Sequence, residues 1–437
     1  MSAHGALFFG SREPGAPMHW ARAVRMRLRI HRGSSKPLAC VVGDLSLVRA
    51  LGRGNIPVAV TTSERQSKVG FSRYCVAVVP TPSWVDDPEA ALAAVIAWSE
   101  QQREPPVLFY QGDHDLLAAS RGRERMAGHL RCVLPPAELV ENLVDKQRFA
   151  ALAERRNLPV PLTRTLCRGK ALADELGRWN RFPCALKPAT RSHRFAEVGQ
   201  GQKALRLESR SELEGLLRVI ETYESDFVVQ AAIEGGEDRI VSYHAYVRPG
   251  GQVMAEFTGR KLRTAPRLYG FSTYIEITND DEVRRLGRSL LEKLGFSGVV
   301  KIDFKRDARD NKLYLLEINP RFNLWHHPAA VAGVSIPALV YRDCIEPGSA
   351  RPAGSARPGV RWVSLRQDAR VFKEYRAAGE LSFTRWLAEI ATVDVNESFL
   401  MRDPVPGLAS LCGMLRRRMG RVRLLSRRPP QPIAGTP

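Results

Sequence analysis

Between Val299 and Arg321 the chain reads VVKIDFKRDARDNKLYLLEINPR. Five of its residues, Lys301, Asp303, Glu317, Asn319 and Arg321, are of types that hold metal ions and phosphate. Carboxylate and carboxamide oxygens suit a hard cation such as Mg²⁺, which commonly binds through one or two carboxylates together with substrate phosphates. To act together these side chains must share a surface. Two apolar runs, VVKIDF and KLYLLEIN, flank a charge-rich segment, which is the pattern of a β-hairpin with a loop longer than two residues. Side chains alternate along a strand, so Lys301 and Asp303 share one face, and Glu317 and Asn319 share one face of the partner. Val300, Ile302, Phe304, Leu316 and Ile318 are then expected on the other side, and Pro320 directs Arg321 out past the strand end. If the two polar faces coincide, the hairpin is a nucleotide-metal site. If they do not, it is a polar edge facing water, and the hairpin alone leaves both readings open.

Other stretches carry weaker signals of the same kind. RFPCALKP reads as a strand bearing Lys187, followed by a polar loop from Thr190 to Gln202 that contains Gly199 and Gly201. A lysine at a strand end beside glycines that let backbone amides approach an anion suits a phosphate lid. A surface hairpin with an exposed lysine would look the same. FVVQAAIEGGED is a buried-type strand that runs into a double-glycine bend and two acids. PVLFYQGD ends in polar residues, so Gln111, Asp113 and Asp115 either face a cleft or terminate the strand. Gly43 lies at a strand-to-helix turn, but no GxGxxG accompanies it. His326 and His327 beside Trp325 fit substrate contact or structure equally, and no HxH or HExxH zinc spacing is present.

The order of elements sets where these residues sit. The strand, helix, strand order from Pro37 onward implies a parallel sheet. A helix opens near Asp145, and antiparallel strands follow from Phe227 through SYHAYV, VMAEFTGRKLR and GFSTYIEI. The helix DDEVRRLGRSLLEKLGF carries a core stripe of Val283, Leu286, Leu290 and Leu294, with Gly295 as its stop. The expected units are a basic extension (1–36), an α/β domain (37–143), two α+β units (144–225 and 226–345), a Pro/Gly/Ser/Ala linker (346–359), a C-terminal module (360–403) and a basic tail (404–437).

Composition bounds the rest. The chain has 437 residues and a formal charge of +20, of which the N-terminal 36 residues contribute +6 and the residues after Asp403 contribute +7. The excess therefore points to basic ends able to touch an acidic surface, not to a basic central domain, and no zinc-finger or RRM-type pattern marks a specific nucleic-acid binder. Seven scattered cysteines without CxxC fit reduced thiols in a cytoplasmic protein. No apolar run approaches the roughly 18 to 20 residues that span a bilayer, and no charged n-region with an apolar core marks a secretory signal.

Taken in order, the lysine of DK, the lysine of LKP, the glycine-containing loop, VVQAAIEGG, the acid of KIDF and the ExNxR of LLEINPR together resemble the ATP-grasp superfamily. The resemblance runs from Pro37 to Asp343. FTGRKLRTAP, GFSTYIEI and AGVSIPALVYRD look like carboxylate-amine ligases of the D-aspartate ligase and carbamoyl phosphate synthetase large-subunit type. The implied fold is α/β and α+β: a parallel-sheet pre-ATP-grasp domain, an ATP-grasp fold of two α+β subdomains, and a small C-terminal module. By this resemblance Lys146 and Lys187 would hold ATP phosphates under the lid, and Gln230 with the backbone of Ala231, Ala232 and Ile233 would meet adenine. Glu237 or Asp238 would contact ribose. Asp303, Glu317 and Asn319 would bind one or two Mg²⁺, with Mn²⁺ as an alternative. Arg321 would approach the γ-phosphate or an acyl-phosphate, and Arg260, Lys261 and Arg263 would line the acceptor side, Lys261 and Arg263 being the catalytic candidates there with Arg321. The lid departs from glycine-rich relatives by carrying Arg191, His193 and Arg194. The implied function is ATP-dependent joining of a small carboxylate, through an acyl-phosphate, to an amine, with carbamoyl-phosphate-type or thiol-acceptor chemistry as variants. A nucleotide-binding regulatory or scaffold protein without turnover is the alternative. The expected partners are ATP, the two small substrates, an acidic surface for the tails and a second copy in a homodimer.

Overall fold

Four short runs of buried apolar residues, Ala39–Val42 (β1), Val58–Thr62 (β2), Cys75–Pro80 (β3) and Val107–Tyr110 (β4), pair in parallel in the order β3-β2-β1-β4. These coordinates are a computed structural model, in which residues 36–64, 67–166, 178–188, 204–216, 226–268 and 270–412 are described. The sheet order reverses direction at β1, so a crevice opens at the carboxyl ends of β1 and β4, the place where open α/β sheets bind ligands. Asp44 caps the helix that follows, Leu45–Arg53 (α1), by accepting from the amides of Ser46 and Leu47. Gly43 lets the turn close: a Cβ there would lie 2.2 Å from Gln111 Oε1.

Asp145 likewise caps Lys146–Arg155 (α3), which follows Asp113–Arg121 (α2) in the chain, and so places Lys146 at the first helical position. A small antiparallel sheet comes next, Thr163–Leu166 (β5), Cys184–Pro188 (β6), Leu205–Leu207 (β7) and Phe227–Ala231 (β8), in the order β5-β8-β6-β7 over a core that includes Trp179 and Phe227. The proposed lid loop lies outside the described residues.

The largest sheet has seven strands in the order β13-β12-β9-β10-β11-β14-β15: Ile240–Val247 (β9), Val253–Ala265 (β10), Phe271–Thr278 (β11), Gly298–Arg306 (β12), Leu313–Asn319 (β13), Arg361–Val363 (β14) and Val395–Asn396 (β15). Helix α4, Asp281–Leu294, covers one face with Val283, Leu290, Leu291 and Leu294 buried, and it ends at Gly295 in the left-handed region (φ 57°). Among the described residues no helix is long and apolar enough to cross a membrane.

The segment read as a linker does not behave as a free connector. Ala350 and Ala356 are buried in the main core, and the amides of Ala353, Arg357 and Gly359 bond to the carbonyls of Met254, Ala332 and Ile277. It delivers β14 to the edge of the large sheet beside β11, so the C-terminal module continues that sheet. Helices Leu365–Ala377 (α5) and Phe383–Ala391 (α6) complete it.

Candidate active site

The two polar faces of the hairpin coincide. In the β12–β13 ladder Lys301 pairs with Asn319 and Asp303 with Glu317, and the next pair is Phe304 with Leu315. That step leaves one extra residue in β13, Leu316, as a β-bulge. Leu315 and Ile318 are therefore the core residues of this strand, whereas Leu316 is half-buried and lines a cavity. The strict alternation that assigned Leu316 to the core is overturned by the bulge.

On the other side of β12, Lys301 faces His244 and Asp303 faces Ser242 of β9. The Asp303 carboxylate is 1% exposed and fully engaged. It accepts from the Ser242 hydroxyl on Oδ1 and from Lys301 Nζ at 2.7 Å on Oδ2, with Lys261 Nζ at 3.1 Å from the same oxygen. Burial pushes this carboxyl's pKa up, but Lys261 and Lys301 outweigh it and hold the group ionised well below the usual carboxylate range. Burial lowers Lys301, which Lys261 also repels; on Lys261 the nearby carboxylates of Asp303, Glu317 and Glu237 outweigh burial and raise its pKa. Lys301 Nζ also lies 6.0 Å from the centre of the Trp325 ring, which packs so closely on Gly259 that a Cβ there would be 2.2 Å away.

Glu317 and Asn319 open onto a cavity of about 1100 Å³, which Lys146, Lys187, Gln230 and Leu316 also line. Lys146 Nζ donates to the Pro188 carbonyl (2.7 Å) and Lys187 Nζ to Gln230 Oε1 (3.3 Å), while Gln230 Nε2 donates to Thr163 (2.8 Å). Burial lowers the Lys187 pKa, partly offset by Glu317. The small and large sheets thus contribute facing walls of one chamber. Ala231, Ala232 and Ile233 do not line it, and the first two amides are committed to the carbonyls of Leu162 and Pro183. Glu237 is buried within the field of Lys261 and Lys305. Asp238 instead lines a second cavity, of about 660 Å³, together with Arg260.

Arg321 reaches across to the first sheet. Its Nε donates to Asp113 Oδ1 (2.6 Å), and its two terminal nitrogens to the Gln111 carbonyl (2.9 Å) and Asn319 Oδ1 (3.2 Å). Gln111 Oε1 in turn accepts from the Asp44 amide at 2.8 Å. The end of β13 is therefore stapled to the crevice between β1 and β4. Asp115 has a structural task, capping the turn by accepting from the amides of Gln111 and Gly112.

Arg263 does not join Lys261. A bulge in β10 next to Lys261 turns Arg263 away, onto the Tyr274 ring (4.3 Å) and into the C-terminal helices. There it makes a bidentate pair with Asp368 (2.9 and 2.8 Å) and a further ion pair with Glu389. Asp368 also accepts from Thr273 and Trp386, so Arg263 is consumed in a buried, satisfied network. Its expected place on the acceptor side is corrected accordingly. Arg260 pairs with Glu276, which Arg361 also holds. Sequence reasoning placed Lys301 on the Asp303 face but missed Ser242 and Leu316 as site residues; Leu316 was assigned to the core, and no local pattern marks Ser242.

Residues 252–365 match the family described as ATP-grasp in the biosynthetic pathway with Ter operon. This span holds Lys261, Lys301, Asp303, Glu317, Asn319 and Arg321. Over this span the chain is similar to the ATP-grasp superfamily. A D-aspartate ligase from Enterococcus faecium (strain Aus0004) is 28% identical over 245 residues, 54% of this chain, and the match spans only 58% of that relative's length. Among solved structures, an L-amino acid ligase from Bacillus licheniformis superposes with a TM-score of 0.53 at 18% identity, covering 73% of this chain and 78% of that one. The N5-carboxyaminoimidazole synthetase from Staphylococcus aureus gives 0.58 at 12%, covering 78% and 86%. At these identities the structures establish the ATP-grasp fold, a parallel-sheet domain ahead of the grasp.

Among the described residues no three His, Cys, Asp or Glu side chains group closely enough to hold a metal by themselves. The hairpin offers Glu317 and Asn319 on the cavity wall with Asp303 opposite in the ladder, all oxygen donors. That set fits Mg²⁺ shared with nucleotide phosphates better than an all-protein cage.

Proposed function

We propose that this protein is an ATP-dependent ligase that activates a small carboxylate as an acyl-phosphate and couples it to an amine in the cytoplasm. The observation that carries this reading is the register of β12 and β13, which sets Asp303 opposite Glu317 and Lys301 opposite Asn319 at the wall of a chamber that Lys146 and Lys187 also line. The D-aspartate ligase relative supports the carboxylate-amine class.

ATP occupies the chamber between the two antiparallel sheets, its phosphates beside Lys146 and Lys187 and its base toward Gln230 and Leu316. Glu317 and Asn319, with Asp303 behind them, hold Mg²⁺ or Mn²⁺, which supplies charge neutralisation on the phosphate oxygens. Lys261 and Lys301 present positive charge where the γ-phosphoryl group moves, so that a substrate carboxylate approaches it with the repulsion between anions cancelled. A carboxylate oxygen bonds to phosphorus, the bond to ADP breaks, and the acyl-phosphate forms. The amine then bonds to the carbonyl carbon, phosphate leaves with the C–O electron pair, and the amine loses a proton. Asn319, Arg321, Gln111 and Asp113 form the floor where the chamber meets the first sheet, which positions the substrate at the β1–β4 crevice. Acyl-phosphates are water-sensitive, so closure over the chamber is expected, and residues 190–202 are proposed for it.

The test is ADP release from purified protein with ATP and Mg²⁺ against panels of carboxylates and amines. Turnover that requires one carboxylate and one amine is expected. ATP binding with no pair stimulating hydrolysis across the panel would overturn the ligase reading in favour of a nucleotide-binding protein without turnover.

A further inference from the structure

β13 and β15 are the two outermost strands of the large sheet, and the chain leaving each of them is fastened to the first α/β domain. After β13, Arg321 donates to Asp113 and to the Gln111 carbonyl at the end of β4. After β15, the chain reaches Asp403, which is fully buried. Its carboxylate accepts from Arg49 Nε (2.9 Å), the Ser72 hydroxyl (2.9 Å) and the Arg73 amide (2.8 Å). Arg49 donates in addition to the carbonyls of Glu397 (2.6 Å) and Asp403 (3.1 Å), so one buried guanidinium grips both ends of the segment 397–403. That segment is in turn fixed to the sheet, because the Glu397 amide donates to the Val363 carbonyl (2.8 Å) and its carboxylate accepts from Ser364.

The two fastenings meet inside the first domain. Arg49 lies in the middle of α1, and Asp44, which caps α1, donates its amide to Gln111 Oε1 (2.8 Å). A helix is stiff and rises about 1.5 Å per residue, so the clasp sits only about 7.5 Å along α1 from the residue bonded to Gln111. Apolar contacts already bring α1 onto the helix that follows β13, but such contacts are non-directional and allow sliding. Five hydrogen bonds around Arg49 and Asp403, most of them to charged groups, fix an orientation. A buried ion pair contributes little net stability, so fixed geometry is what this one supplies.

We propose that Asp403 is a positioning residue: through Arg49 and α1 it sets Gln111 and Asp113 against the end of β13, and so fixes Arg321 at the floor of the chamber. This rests on the reading of Arg321 as part of the ligase site. Residues 397–403 then act as a strap that ties the far edge of the large sheet, β15, to the site at the opposite edge, β13, by way of the first domain. Asp403 does not line the chamber, so its effect on the site is transmitted and not direct. A purely structural Asp403 would instead lower the stability of the whole fold and leave the surroundings of Arg321 as they are.

In the full-length chain the pair is replaced as a unit, Arg49→Met/Asp403→Leu, which removes both charges without stranding either. Arg49→Lys, which keeps the charge and loses the planar fork, is the second variant and is read alone if the first does not fold. Native-state hydrogen exchange is followed at the amides of Asp44, Gln111, Gly112 and Arg321, whose bonds lie between the clasp and the floor, with the amides of α4 as the reference for global opening. Exchange faster by at least about tenfold at these amides, with α4 unchanged, is expected. Affinity for Mg-ATP, measured by calorimetry, should stay within about threefold of wild type, because the site of substitution is distant from Lys146 and Lys187. With a carboxylate that supports turnover, its KM should rise about tenfold while that of ATP holds. Exchange that rises in α4 as much as at the four amides, that rises at Asp44 while Arg321 keeps its wild-type rate, or that changes nowhere overturns the proposal. Wild-type protein without turnover on any pair would overturn the ligase reading, and the exchange result decides the strap independently of it.

Discussion

At the residue scale the site turns on how Asp303 is satisfied. A carboxylate that is 1% exposed and contacts two ammonium groups and a hydroxyl is a charge whose removal or exposure is costly. Lys301→Met should destabilise the protein by about 1–3 kcal/mol, less than a fully broken buried pair because Lys261 remains. Asp303→Asn in the same chain should recover part of that loss, and urea unfolding of the single and double variants measures the coupling. Glu317, on the cavity wall, has a different balance. Glu317→Gln should leave the unfolding midpoint close to wild type while lowering turnover about 10²- to 10³-fold, as expected when a group acts on developing charge. Activity near wild type would remove Glu317 from the proposed metal site. Lys301, Asp303, Glu317 and Asn319 were all legible as one set, because side-chain alternation in a strand is a local property.

At the element scale two bulges decide which side chains reach the site. The bulge in β13 moves Leu316 out of the core, so Leu316→Ala should cost at most about 1 kcal/mol in chemical denaturation, against about 2–5 kcal/mol for buried Ile318→Ala. ATP affinity should respond in the opposite order, falling for Leu316→Ala and little for Ile318→Ala. The irregularity in β10 sends Arg263 to Asp368 and Glu389. Arg263→Ala should therefore act on folding, by about 3–5 kcal/mol because it strands the Asp368 carboxylate, with a smaller effect on the proposed turnover, measured on folded protein, than Glu317→Gln. Neither irregularity was visible beforehand. A bulge inserts one residue without breaking an apolar-polar pattern, and the register shift exists only once a partner strand is aligned.

At the scale of the whole molecule, stability depends on a core that holds neutral imidazoles. His326 and His327 are 0% and 1% exposed, packed beneath the first sheet's helix α1, and burial pushes both pKa values down to about 3. The unfolded chain, with histidines titrating at about 6.5, takes up these protons first. Stability from burying them neutral is complete above about pH 6.5 and is lost progressively as pH falls toward 3. The melting temperature should decline through that window, and His326→Phe, which fills a place against Phe257 and Phe322, should flatten the decline. An unchanged slope would show that other groups dominate. The same packing gives the pair a structural place: His326 meets Phe257 and Phe322 edge-on, and their helix packs on α1.

By itself the sequence determined the hairpin, its oxygen donors, the strand, helix, strand order of the first domain and the α4 stripe, because each follows from the two- or 3.6-residue periods of a single segment. It also carried the ATP-grasp resemblance, since the order of motifs is a property of the chain. Only the tertiary structure decided that Arg321 is held by Asp113 and Gln111, 208 and 210 residues away, that Arg263 belongs to the C-terminal helices, and that the segment at 346–359 packs on the core. These are pairings between distant segments. They depend on how sheets stack and where strands slip, and no local period records either.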